Sequence, residues 1–385
     1  MYLGVLPASP WQLQNAWPES PEFTSRAMDP TLYAGLARDC EAAGMDFLFL
    51  PDKHVANAAP PGRADPSMVD SWFEPLTLLS YLAAVTSRIG LVPTLSTTWY
   101  EPFPLARQIL SLDHLSGGRA GWNAVSSHPG LEQPNFAHRP EDTREGMKAR
   151  HAEAVSLVKR LWTSWDADAV VADADARRWT RPGTVRPVDH HGEYFDVAGP
   201  LTLHRSVQDH PPVVMAGASD GFLRTAARDA DVVFTALRDA DDARRAVGTL
   251  RTFAGEEGRT GQDAPRLMPG YFVSAAGFPE FGSPGEPGPA GLPFHTPTTG
   301  GRAPSGRDVA GHLVRIVEET GLDGFILMPR LIPEDLRFLC DEVVPELVSL
   351  GARPSPSGLP THSTLRANLG MNLGMNLGMN TGATG

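Results

Sequence analysis

The sequence predicts an α/β protein built as a closed (β/α)8 barrel, a TIM barrel with insertions after strands four and seven. Three observations carry this reading. Short apolar runs alternate with amphipathic stretches along most of the 385 residues, the pattern of a parallel sheet covered by helices. Eight such units occur, the number that closes a barrel. No G-x-G-x-x-G follows the first strand, which argues against the runner-up, an open doubly wound sheet that binds a dinucleotide.

The elements follow in order. Leu3–Leu6 is the first strand. Asp29-Pro30 reads as a helix cap with proline at the first helical position, Leu32, Leu36 and Cys40 recur at a spacing of four, and Gly44 fits the C-terminal cap. Phe47–Leu50 is an unbroken apolar run, as a strand buried on both faces requires. Helix Pro75–Thr86 leads to strand Ile89–Leu95, and helix Pro104–Leu115 with Gly117-Gly118 leads to strand Ala120–Val125. A long connection, 129–205, carries a helix over Gly146–Trp162. Strand Val213–Ala216, helix Phe222–Arg228, strand Val232–Thr235, helix Asp241–Ala254 and strand Leu267–Val273 come next. Helix Asp308–Thr320, strand Gly324–Met328 and helix Pro333–Leu350 complete the barrel at residue 352.

Two segments stand apart. From Phe278 to Gly306, 14 of 29 residues are Gly or Pro; the glycine at every third position is too short-lived for a collagen helix and reads as a solvated loop. Residues 353–385 read as an extended, flexible tail. Its NLGMNLGMNLGMN repeat (Asn368 to Asn380) places a glycine in every four-residue unit, which costs about 1 kcal/mol each in a helix relative to alanine.

Composition narrows the function. A hydrophobic content of 41% supports a large core, and a net charge of -12 disfavours nucleic acid, whose phosphates need a basic surface. The two cysteines, Cys40 and Cys340, are too few and too far apart for a disulfide framework, a zinc ribbon or an iron–sulfur site. No stretch approaches the ~20 apolar residues that span a bilayer, and the start lacks a signal-peptide pattern. The expectation is a soluble, cytoplasmic protein with no membrane partner and no metal; His190-His191 would point to opposite faces of a strand.

In a barrel of this kind, chemistry belongs at the carboxyl ends of the strands. Those ends read Pro51-Asp52-Lys53-His54, Thr94-Leu95-Ser96-Thr97-Thr98, Ser126-Ser127-His128 and Gly217-Ala218-Ser219-Asp220-Gly221. They are polar, glycine-bearing loops suited to a ligand with a ring system and a phosphate.

Three segments sharpen this. Leu112–Ser127 (LDHLSGGRAGWNAVSS) resembles the signature run of the nitrilotriacetate, dibenzothiophene-sulfone and pristinamycin synthase family of flavin monooxygenases, within the bacterial luciferase-like superfamily. His191–Leu201 (HGEYFDVAGPL) and Ala216–Ser219 (AGAS) are similar to two further segments of that family. Thr94–Arg107, Leu161–Trp165 and Thr364–Gly370 add agreement, so the likeness covers most of the chain. The resemblance implies a barrel that binds reduced FMN, which reacts with O2 to give a C4a-peroxyflavin that oxygenates a small organic or natural-product substrate. It also implies that a separate NAD(P)H-dependent flavin reductase supplies the reduced flavin, and that the chain forms homo-oligomers, dimers or tetramers. The cofactor would carry the hard chemistry, while the protein binds, orients and excludes water.

By the same resemblance Asp52, Thr94 and Thr97 fall at flavin-contacting positions. Gly217, Ser219 and Asp220 form a turn before a helix, where backbone N–H groups and the helix dipole suit a phosphate. Each has a plainer reading: a rim aspartate that caps its loop, a buried β-branched threonine, an N-cap serine. His54 is a candidate acid or steering donor facing the substrate, against a merely solvated loop histidine. Trp11, Trp17, Trp72 and Trp99 fit an aromatic pocket or ordinary packing equally.

Two departures stand out. Where the family carries a histidine and, four residues on, a tyrosine that reach the FMN phosphate, this chain has Arg144 and Lys148, on one helical face by spacing. Arginine can grip a phosphate with two prongs. The longer, partly helical insertion that the family carries after strand seven is here reduced to the Gly/Pro-rich stretch. Two other readings stay open: a deazaflavin (F420)-dependent hydride-transfer enzyme, and a flavin-binding partner subunit without catalysis.

Overall fold

The computed structural model describes residues 1–7, 16–56, 67, 69–127, 132, 135–136, 143–277, 295–296 and 302–372. Eight parallel strands close on themselves: β1 (Tyr2–Val5), β2 (Phe47–Leu50), β3 (Gly90–Ser96), β4 (Trp122–Val125), β5 (Val213–Ala216), β6 (Val232–Thr235), β7 (Arg266–Val273) and β8 (Gly324–Pro329). Each strand pairs with its sequence neighbours, and β8 pairs back onto β1 from Tyr2↔Gly324 to Val5↔Leu327. Helices α1 (Pro30–Ala43), α2 (Pro75–Ala83), α3 (Pro102–Ser116), α4 (Arg144–Trp162), α5 (Asp220–Asp229), α6 (Ala240–Glu256) and α7 (Gly306–Thr320) follow the strands. The last helix, α8, starts at Glu334, passes a π-helical turn at Leu339–Val343 and ends at Ser349. The (β/α)8 expectation holds, with element ends displaced by a few residues.

Local chemistry accounts for the helix ends. Asp29 accepts the Thr31 N–H at 2.9 Å, Pro30 opens α1, and Gly44 closes it at φ 90°. Ser305 and Asp308 form a reciprocal capping box on α7.

Alternation along each strand sends one set of side chains inward. Phe47, Phe49, Val92, Val214, Val232, Met268 and Ile326 form an interior cluster, while the opposite faces pack on the helices in a second, larger one. The inward residues nearest the carboxyl ends are less covered: Val125, Phe234, Phe272 and Met328 are half-buried and Ala216 is exposed. The barrel is thus filled below and open at its carboxyl mouth.

The amino end is plugged, and here an expectation fails. Residues 353–372 are no loose tail: Leu365, Leu369 and Met371 join the interior cluster. A Cβ at Gly90 or Gly121 would come within 2.5 and 2.8 Å of Leu365, so glycine at the feet of β3 and β4 makes room for the plug. Buried charges fasten it. Arg353 pairs with Asp46 at 2.8 Å, and Arg366 with Asp231 at 3.3 Å. Local sequence pattern hides this because the burial comes from the barrel floor. Residues 373–385, most of the repeat, lie outside the described residues, as do 278–294 and 297–301 of the Gly/Pro-rich stretch.

The signature run proves largely architectural. Asp113 is fully buried; it accepts from Gln208 Nε2 at 2.6 Å, from Ser206 Oγ and from the Ala120 N–H at 3.3 Å. Burial outweighs these donors and lifts its carboxyl to about 6. Gly117 caps α3 at φ 69°. The buried Arg119 guanidinium donates to the carbonyls of Ala83, Thr86, Ile89 and Ser116, tying α2 and α3 to β3.

The connection after β4 holds α4 and two small antiparallel ribbons, Val170–Asp173 with Arg178–Thr180 and His190–His191 with Asp196–Val197. Glu153 of α4 clasps the second ribbon. Its carboxylate accepts from the N–H groups of Glu193, Tyr194 and Phe195 and from His190 Nε2 at 2.9 Å. A methyl group on Gly192 would sit 2.0 Å from Glu153 Oε1, which explains the glycine of the HGEYF segment. His191 points the other way, to solvent, beside Asp189 and Asp196. Among the described residues no histidine, cysteine or carboxylate cluster could hold a metal, and no helix is long and apolar enough to cross a membrane.

Candidate active site

The strands that carry the expected site residues, β2, β3, β4 and β5, are consecutive neighbours, so their carboxyl ends form one continuous half of the mouth. In its middle, Thr94 and Asn123 stand opposite each other in register, both facing inward. Asn123 Nδ2 donates to Thr94 Oγ1 at 2.8 Å, which leaves the threonine's own proton uncommitted. Asn123 is 4% exposed, yet its Oδ1 has no hydrogen-bond partner. An orphaned acceptor inside an otherwise apolar barrel costs about 1–3 kcal/mol, so it marks a place where a ligand donor is needed.

Thr97 behaves differently from the expectation. It is 1% exposed, donates to the Val125 carbonyl at 3.1 Å, and its oxygen lies 3.0 Å from His151 Nδ1. Burial drives the His151 ring down to about 4, so a neutral imidazole donates to the threonine. Thr97 is a pillar of the β3 loop, with its hydroxyl already engaged. Next to it Ser96 and Ser127 share a hydrogen bond of 2.8 Å and Thr98 Oγ1 accepts the Ser127 N–H at 3.1 Å. His128 lies outside the described residues.

At the β5 end, Gly217 lets the Phe222 ring approach, since a Cβ there would meet it at 2.6 Å. Ser219 caps α5 by accepting the Phe222 N–H at 3.2 Å, and Ser219, Asp220 and Gly221 are exposed. The amides of Asp220 and Gly221, the first of the helix, have no intrahelical acceptor. This is the anion-accepting geometry of a helix N-terminus. Arg144 is the first residue of α4, which the β4 crossover starts at the mouth end; its side chain lies outside the described residues, and Lys148, one turn on, is exposed.

The β2 end holds a charged cluster that the sequence shows only in part. His54 Nε2 lies 3.1 Å from Asp52 Oδ2, and His54 Nδ1 3.6 Å from Glu132 Oε2. Trp99 Nε1 donates to the same Glu132 oxygen at 2.7 Å, and Asn135 Nδ2 donates to the His54 carbonyl at 2.6 Å. Phe136 stacks on Trp99 at 4.2 Å and meets the imidazole edge-on. Burial alone would lower the His54 pKa, but the two carboxylates outweigh it and hold it at about 9. Glu132 is affected conversely: burial opposes ionisation, while His54, Ser127 and Trp99 bring its carboxyl down to about 2. His54 is therefore an imidazolium at neutral pH that ties the β2, β3 and β4 loops together. Asp52 Oδ1 takes the Lys53 N–H at 2.8 Å, while Asp52 Oδ2 and His54 Nε2, though close, make no aligned hydrogen bond.

Outward from this cluster a cavity of about 380 Å³ runs over α1 and α2, with Asp52, His54 and Tyr100 on its mouth side and Tyr33 and Leu78 at the helices.

Sequence reasoning missed Asn123, Glu132 and the Trp99–Phe136 stack. Strand alternation signals the first, since Trp122 packs outward on Trp162 and its neighbour must face in. No local signal reveals Glu132, which is brought in by the connection after β4.

The luciferase-like monooxygenase family profile matches residues 14–279. The chain is 37% identical over 272 residues to N-acetyl-S-(2-succino)cysteine monooxygenase of Bacillus subtilis (strain 168), covering 70% of this chain and 60% of that protein. It is 35% identical over 273 residues to nitrilotriacetate monooxygenase component A of Aminobacter aminovorans, covering 69% and 59%. These matches span about 60% of the curated relatives' length. Among solved structures, EDTA monooxygenase from Chelativorans sp. BNC1 superposes with a TM-score of 0.79 at 27% identity, over 97% of this chain and 98% of that one. Barrel, signature run and matched residues agree: the chain belongs to the luciferase-like monooxygenase family.

Proposed function

We propose that the chain is the oxygenating component of a two-component monooxygenase, which takes reduced FMN from a separate NAD(P)H-dependent flavin reductase. The observation that carries this is the orphaned Asn123 Oδ1 beside the Thr94 hydroxyl. An acceptor and a donor lie side by side, buried, in the wall of an open apolar mouth. A flavin's polyhydroxylated side chain and ring edge offer the matching groups.

The residues fit the cofactor in three places. The Ser219–Gly221 turn would hold the terminal phosphate, with Arg144 from the start of α4. Asn123 and Thr94 would meet polar groups within the mouth. Asp52, fixed by His54, would stand at the rim. Bound there, reduced FMN would activate O2 for transfer of one oxygen atom to a small organic substrate. Phe234, Phe272 and Met328 line the mouth and would limit water around the ring. His54 would keep a proton at neutral pH next to Asp52.

The test is anaerobic titration with reduced FMN and with reduced deazaflavin, followed by mixing the loaded protein with O2. Expected are saturable FMN binding at least tenfold tighter than deazaflavin binding, flavin reoxidation slower than in free solution, and at least tenfold weaker FMN binding in Asn123→Leu. Preference for deazaflavin would make the chain a hydride-transfer enzyme. Binding without any effect on the oxygen reaction would make it a non-catalytic subunit.

A further inference from the structure

The cavity behind the β2 loop has a composition that identifies its ligand. Its walls are aromatic: Tyr33, Trp72, Phe73 and Tyr100 surround about 380 Å³ of space, within the range of small-molecule sites. Among the described residues five charged groups also line it, and each is already engaged by the protein. Lys53 Nζ faces Asp70 at 3.9 Å, and His54 faces Asp52 at 3.1 Å and Glu132 at 3.6 Å. Glu74 caps α2, accepting from the N–H groups of Leu76 at 2.9 Å and Thr77 at 2.6 Å. Beyond the cavity, Arg330 on the β8 side of the mouth is paired with Glu19.

A carboxylate or phosphate ligand would need a cation, and taking one would strand a partially buried carboxylate, at a cost of several kcal/mol. An organic cation would meet the same obstacle with the sign reversed, because Lys53 and His54 already hold the acids. A neutral ring system meets no such cost and gains the aromatic contacts.

We infer that this cavity takes the substrate, a neutral planar aromatic or heteroaromatic molecule. The inference rests on the monooxygenase reading, because it makes the cavity the substrate's side of the flavin mouth.

Flavin-free protein titrated with matched probes tests it separately from flavin binding. Coumarin is neutral and carries a carbonyl, coumarin-3-carboxylate adds a negative charge, and N-methylquinolinium is a planar cation. Coumarin is expected to bind saturably and at least tenfold tighter than either charged probe. Trp72→Ala and Tyr100→Leu, two independent wall changes, should each weaken coumarin at least tenfold while FMN binding persists. Equal or tighter binding of a charged probe, no saturable coumarin binding, or indifference to both substitutions would overturn the inference. Failure of FMN to bind while coumarin behaves as expected would count against the flavin reading alone.

Discussion

The His54 cluster yields a prediction whose size follows from its surroundings. A free histidine titrates near 6.5, and this one is held at about 9 by Asp52 and Glu132. The difference corresponds to about 3 kcal/mol favouring the charged form in the folded protein. Because the folded pKa is raised, this stabilisation is complete below about pH 6.5 and is lost as pH rises through about 9. At pH 7.5 about 2 kcal/mol remains, and at pH 10 almost none. The side chain is 18% exposed, so solvent screening trims these figures only modestly. Glu132 shares the same contact and its contribution is not added again. Tyr100, whose ring lies 6.1 Å from the imidazole, is pushed by burial to about 12 and stays neutral over this range.

His54→Gln keeps a side chain of similar length but removes the charge. Two measurements check the outcome. An NMR titration of the histidine ring signals should show one resonance, absent in His54→Gln, with a midpoint near 9. Thermal or denaturant unfolding should show the variant weaker than the parent by about 2–3 kcal/mol at pH 6 to 7.5, with the gap closing by pH 10. A midpoint near 6.5, or a stability gap independent of pH, would show that the two carboxylates do not hold the imidazolium.

Gly192→Ala would drive a methyl group to 2.0 Å from Glu153 Oε1 and open the ribbon it clasps; a loss of about 1–3 kcal/mol is expected, read by thermal unfolding. Asp231→Asn would leave Arg366, Arg259 and Lys159 without their shared carboxylate. It should cost about 3–5 kcal/mol and release the barrel-floor plug to proteolysis. Burial opposes ionisation of Asp231, but those cations hold its carboxyl below the usual range, so its contribution is present above about pH 4 and lost on acidification; acid unfolding should begin at higher pH in the variant. Arg144→Ala should weaken reduced FMN binding at least tenfold, about 1.4 kcal/mol, in anaerobic titration; unchanged affinity would remove Arg144 from the phosphate site.

The barrel was legible because its determinants are local. Apolar runs of strand length, Asp29-Pro30 and Gly44 around α1, and the glycines after α3 act within a few residues, and they fix where elements begin and end. The rim positions followed once eight strands were counted. What stayed hidden depends on distant contacts. Leu365 and Arg366 look like part of a glycine-rich tail until the floor of the barrel surrounds them, and Glu132 gains its meaning only where its connection folds back onto His54 and Trp99. Thr97 shows the converse limit. Its place on the rim was right, but residue type alone could not reveal that Val125 and His151 consume its hydroxyl.

The signature run shows how one stretch divides between folding and binding. Asp113 and Arg119 satisfy buried partners, Gly118 and Gly121 avoid clashes, and Gly117 closes α3 at a positive φ, so their chemistry is spent inside the framework. Trp122 likewise donates its indole N–H to the Leu95 carbonyl at 3.0 Å. Among the described residues of the run, only Asn123 has a buried polar atom without a partner, and it faces into the barrel. Framework and ligand roles should therefore separate on substitution. Asn123→Leu removes a buried orphan worth about 1–3 kcal/mol but leaves the buried Thr94 hydroxyl without its donor at a comparable cost, so stability should change little. Reduced FMN binding should fall at least tenfold in the same variant. If unfolding instead showed Asn123→Leu strongly destabilised with flavin affinity intact, the residue would belong with the framework, and the polar centre of the proposed site would have to be sought elsewhere on the rim.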